Sequence, residues 1–144
     1  MKNYEEIFNE SYRRVTGDDF GERFFDRFYE IFLGTSDAIR EKFAATEMVK
    51  QKQMMRKSFF HLLNLYNTKV TSDYLERIAR EHGRARLAIP VEMFNQWRAS
   101  ILRTVRELDA PYYNDDIEIA WAMMIAPGLE FMRQISMRGT TGSP

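Results

Sequence analysis

Apolar side chains recur at three- and four-residue spacing along almost the whole chain, and no stretch alternates apolar with polar as a half-buried strand would. Tyr4, Ile7, Phe8, Tyr12 and Val15 form a first stripe that stops at Thr16-Gly17-Asp18. Phe20, Phe24, Phe28, Ile31 and Phe32 form a second, closed by Gly34. Thr35-Ser36-Asp37 is a capping signal for a short segment reaching about Phe43. From about Glu47, a longer stripe of Met48, Met55, Phe59, Leu62, Leu63 and Tyr66 runs to about Asn67.

Thr71-Ser72 caps a shorter helix carrying Tyr74, Leu75, Ile78, Ala79 and His82. Pro90 suits the first turn of the next helix, where a missing N–H leaves no intrahelical bond unmade. That helix buries Phe94, Trp97, Ile101, Val105 and Leu108, and a loop around Pro111 leads to a last helix over about Asp115–Met137. Pro127-Gly128 falls inside it and predicts a kink. The expectation is one all-α domain of about seven helices over residues 1–137, with 138–144 as a flexible tail.

Composition narrows the chemistry. The 144 residues suit one domain, and 44% hydrophobic residues are enough for an ordinary core. Twenty-one basic side chains balance twenty-one acidic ones, so neither nucleic acid nor an anionic membrane surface is an expected partner. No apolar run approaches the roughly 20 residues of a bilayer span, and the first residues do not read as a signal peptide. The expected location is the cytoplasm. With no cysteine there is no disulfide, thiolate nucleophile or Cys-type metal site. Eleven Phe, seven Tyr and nine Met make an interior that is core-like and also suits a flat apolar cofactor.

There are two histidines, His61 and His82. His61 lies on a mixed face with Lys57, Ser58 and Leu65 and reads as a boundary residue. His82 ends the apolar stripe of Leu75, Ile78 and Ala79, just before Gly83. From there one ring nitrogen can face a metal while the other donates to a carbonyl one turn earlier. Periodicity alone leaves it open between a core histidine and a ligand. Trp97 and Trp121 sit among apolar neighbours and read as core, and the acids Asp115, Asp116 and Glu118 read as a helix first turn. No phosphate loop, nucleophile elbow or paired-carboxylate site is present.

The order and spacing of these helices resemble the globin fold enclosing a haem pocket. Phe28-Tyr29-Glu30-Ile31-Phe32 and Ile39-Arg40-Glu41-Lys42-Phe43 are similar to its second and third helices, and Tyr74 to His82 to its proximal helix. The nearest likeness is to bacterial single-domain haem globins, flavohaemoglobins and the haem domains of globin-coupled sensors. The resemblance implies haem b as cofactor, His82 as iron ligand, Phe43 packed flat on the ring, and Tyr29 on the distal side. It also implies a distal glutamine. Gln51 fits better than Gln53, because Gln51 brings Met55 over the haem whereas Gln53 would bring Lys57.

Arg86, or Arg84 instead, falls where a propionate would be paired. Ile78, Leu87, Ile89, Phe94 and Trp97 would supply apolar walls. Lys52 stands where globins usually place a small residue at a helix crossing. Phe94 stands about where flavohaemoglobins use a tyrosine to support the proximal histidine. The implied activity is reversible binding of O2, NO or CO. The alternatives are nitric oxide dioxygenation with a separate reductase, or gas sensing with a signalling partner. A homodimer is compatible with each.

Overall fold

The computed structural model describes residues 2–68, 73, 76–77 and 91–140, with backbone alone at 67, 91 and 135–140. Among these residues the chain is all-α. The helices are α1 (Tyr4–Thr16), α2 (Glu22–Leu33), α3 (Asp37–Lys42), α4 (Met48–Thr68), α5 (Val91–Leu108) and α6 (Asp115–Thr140). Asp73, Glu76 and Arg77 are helical too, and the rest of the helix expected from Thr71 to His82 lies outside the described residues.

Local chemistry sets the helix ends. The Asn3 side chain accepts from the Glu6 N–H at 3.1 Å to start α1, and the Ser36 hydroxyl accepts from the Ile39 N–H at 3.1 Å to start α3. Phe20 departs from its expected place on the second stripe. It has φ +56, is 86% exposed, and precedes α2. The connection needs two left-handed residues in a row, Phe20 and Gly21. The Asp19 carboxylate then accepts from the N–H groups of Gly21 and Arg23, so the helix begins two residues later than the hydrophobic pattern suggests. The last helix runs three residues past Met137. It continues through Pro127.

α1 and α4 pack on α6, α2 packs on α5, and α5 packs on α6. Trp121 is fully buried at the centre, edge-on to Phe8 at 4.8 Å and stacked with Phe24 at 5.6 Å between ring centroids. Aromatic contacts continue through Phe59 to Trp97, which is half-buried and 5.8 Å from Phe28. Gly128 lets α6 approach α4 closely, since a Cβ there would lie 2.3 Å from Leu62 Cδ2 and 3.1 Å from its Cβ. Where α2 meets α4, the Lys52 ammonium reaches the Asp26 carboxylate at 2.8 Å. A long cation is thus accommodated beside that crossing by pairing at its edge. Among the described residues no helix is long and apolar enough to cross a membrane.

Candidate functional site

Helices α2, α4, α5 and α6 converge on one cavity. α2 contributes Tyr29 and Phe32, and the residue that caps α3, Phe43, closes the adjacent edge. From α4 come Gln51, Met54, Met55, Ser58 and Leu62. α5 adds Met93, Phe94 and Trp97, and α6 adds Leu129 and Met132. Six residues singled out in the sequence therefore share one wall system: Tyr29, Phe43, Gln51, Met55, Phe94 and Trp97. His82, Ile78, Arg86, Leu87 and Ile89 lie outside the described residues.

The polar end is built from two helices. The Gln51 side-chain amide donates to the Tyr29 hydroxyl oxygen at 3.0 Å. That bond uses the phenol as acceptor, so its own proton remains free to be donated elsewhere. Burial pushes the Tyr29 pKa up to about 12, and the Gln51 bond offsets this only in part. The phenol is therefore a neutral donor over any physiological pH. Phe43 stands edge-on to Tyr29 at 6.2 Å and to Phe32 at 6.0 Å, which fixes that side of the wall.

Elsewhere the lining is apolar. Met55 and Phe94 are buried, and Trp97 is half-buried. Ser58 is the exception: its hydroxyl oxygen is buried and has no hydrogen-bond partner. No charged side chain is among the described lining residues. That chemistry fits a flat, largely apolar tetrapyrrole with one hydrogen-bonding group near its centre. A tetrapyrrole is larger than the cavity of about 110 Å3, so loading must move the walls. Four of the wall side chains, Met54, Met55, Met93 and Met132, are unbranched thioethers that reshape readily.

His61 does not line the cavity. It is half-buried against Phe60, with ring centroids 5.5 Å apart, and its pKa is lowered by burial and then by Lys57. It is a boundary residue, as its mixed face suggests. Among the described residues no cluster of three or more His, Asp or Glu side chains could hold a metal ion.

The sequence reading missed Phe32, Met54, Ser58, Leu62, Met93, Leu129 and Met132 as lining residues. Ser58 and Leu62 were within reach, because they follow Gln51 by seven and eleven residues on one helical face. Leu129 and Met132 required knowledge of where α6 crosses.

No family model matches the chain, and no curated protein matches it. Among solved structures, the chain is similar to a protein of Pseudomonas aeruginosa PAO1 described as structurally highly homologous to a human haemoglobin. The two share 28% identity over 93% of this chain and 98% of that one, with a TM-score of 0.81. Helix order, an apolar cavity between α2, α4, α5 and α6, and that near-complete superposition agree: this chain has the globin fold.

Proposed function

We propose that the protein binds haem b in this cavity and reversibly holds a diatomic gas, O2 with NO or CO as competitors, beside Tyr29. The observation that carries the reading is the Tyr29–Gln51 hydrogen bond at one end of a lining whose other described residues are apolar apart from Ser58. When bound, haem iron supplies the coordination position that a diatomic gas occupies. The side chains supply the rest. Tyr29 offers its phenol proton to the gas, and Gln51 holds the phenol oxygen so that the proton points away from the amide. Phe43, Met55, Phe94 and Trp97, which line the cavity, would pack on the ring and exclude water. His82 would hold the iron through a ring nitrogen, Arg86 would offset the charge of a propionate, and Ile78, Leu87 and Ile89 would be apolar neighbours of the ring.

Phe94 favours gas holding over nitric oxide dioxygenation. A phenylalanine in the wall of α5 has no hydroxyl with which to support a proximal imidazole.

The deciding experiment is the absorption spectrum of reconstituted protein in ferric, ferrous and CO-bound states. A strong Soret band in the wild type, lost or greatly shifted in His82→Ala, is the expected result. Wild-type protein that refuses haem overturns the reading. Turnover of nitric oxide with a supplied reductase would move the assignment to an enzyme.

A further inference from the structure

Two polar links cross from α2 to α4 side by side. The Gln51 amide donates to the Tyr29 hydroxyl oxygen at 3.0 Å, and the Lys52 ammonium meets the Asp26 carboxylate at 2.8 Å. Asp26 precedes Tyr29 by three residues, so the two acceptors lie one turn apart on the same side of α2. On α4 the two donors are consecutive residues, whose side chains leave the helix axis about 100° apart. Gln51 therefore lines the cavity, whereas Lys52 skirts the edge of the helix to reach Asp26 with its side chain 32% exposed.

The other contacts near this crossing do little to fix how α4 is turned. About two turns further along, Phe59 meets the rings of Phe24 and Phe25 at 6.3 and 5.8 Å, and apolar contact of that kind is non-directional. Met54 and Met55, close to Gln51, are flexible thioethers that follow a moving neighbour. A turn of α4 large enough to part Gln51 from Tyr29 also draws Lys52 away from Asp26, because the donors are adjacent on one rigid helix. We infer that Lys52 is a positioning residue: its ion pair with Asp26 sets the rotation of α4 and thereby keeps the Gln51 amide on the Tyr29 phenol oxygen. The effect on a bound gas rests on the haem reading above, but the alignment of the two side chains does not.

The first test uses the full chain without cofactor. Magnetisation transfer between the Gln51 side-chain amide protons and the Tyr29 ring protons reports their contact in solution. Lys52→Met keeps a long apolar stem and removes the charge, and should weaken that signal at least about twofold, within the range expected for a partly exposed ion pair. Lys52→Arg should retain it. Asp26→Ala removes the pair from the other side and should reproduce the Lys52→Met result. Both partners are partly exposed, so neutralising either one strands no buried charge.

The second test uses haem-loaded protein. Lys52→Met should speed O2 dissociation about two- to fivefold and add a second stretching band for coordinated CO, with Lys52→Arg like wild type. A double-mutant cycle separates positioning from a general loosening of the fold. In a Gln51→Ala background, Lys52→Met should change the off-rate no further, because the bond it holds is already gone. A Gln51–Tyr29 signal unchanged in Lys52→Met overturns the inference, as does a full effect of Lys52→Met on top of Gln51→Ala. Wild-type protein that takes up no haem overturns the functional reading and leaves the cofactor-free test to decide the role of Lys52.

Discussion

A phenol that ionises near pH 10 in water parts with its proton reluctantly where water cannot solvate the anion, and Tyr29 is only 3% exposed. Its folded pKa of about 12 lies above the unfolded value, so the stability it contributes is complete below about pH 10 and is lost as pH rises toward 12. Tyr29→Phe should therefore flatten the alkaline loss of stability between those values and remove one tyrosine from the high-pH ultraviolet titration. In haem-loaded protein the same substitution should speed O2 dissociation up to about tenfold, the value of one good hydrogen bond. An unchanged off-rate in stopped flow would take Tyr29 out of the distal role. At this scale the sequence was legible where a residue belonged to a resembled set: Tyr29 and Phe43 share an edge of the cavity, as the likeness of their helices to those of globins implied. Ser58 was legible only through Gln51, whose face of α4 it shares, since a lone serine in a helix otherwise reads like any solvent-facing polar residue.

The helices are tied together by two devices of different kinds. At one corner the Asp109 carboxylate, 1% exposed, accepts from Ser11 Oγ at 2.7 Å and from Arg14 Nε and Nη2 at 2.7 and 2.9 Å. Trp121 Nε1 donates to the same Ser11 hydroxyl at 2.9 Å, so α1, the end of α5 and the second turn of α6 meet in one network. Arg14→Ala would leave a buried carboxylate short of its counter-charge. The expected loss is about 3 kcal/mol, at the low end for a broken buried pair because Arg14 keeps partial access to water. Urea unfolding measures it, and a loss under about 1 kcal/mol would mean that the serine and water suffice. The second device is Gly128. Gly128→Ala drives a methyl into Leu62 and should cost about 1–3 kcal/mol. Leu62→Ala in the same chain should recover part of that loss; strict additivity of the two losses would show that the crossing does not set the cost. Capping residues made the start of α3 readable in advance, since Ser36 carries its own signal. The left-handed Phe20–Gly21 turn and the Gly128 crossing were not readable, because each depends on a partner far along the chain.

All four cavity-forming helices also carry the central core, so filling the cavity acts on the stability of the whole chain. The wall side chains of α4, α5 and α6 are continuous with the cluster around Trp121 and Phe59. A tetrapyrrole that binds only the folded state at one hundred times its dissociation constant adds about 2.7 kcal/mol. For a chain near this size that raises the melting temperature by roughly 5–10 °C. Two contributions can be separated by comparing haem with metal-free protoporphyrin, which offers the same apolar surface and no iron. The apolar walls predict that metal-free protoporphyrin stabilises wild type and His82→Ala alike, because Phe43, Met55, Phe94 and Trp97 are unchanged. The proposed axial bond predicts an additional increase with haem in wild type, absent in His82→Ala. Calorimetric scans of four combinations, two proteins with two ligands, decide between them. Equal shifts from both ligands in the wild type would remove His82 as iron ligand while leaving the cavity as a porphyrin site. No shift from either ligand would mean that the cavity serves the fold and holds no tetrapyrrole, whatever its resemblance to a haem pocket.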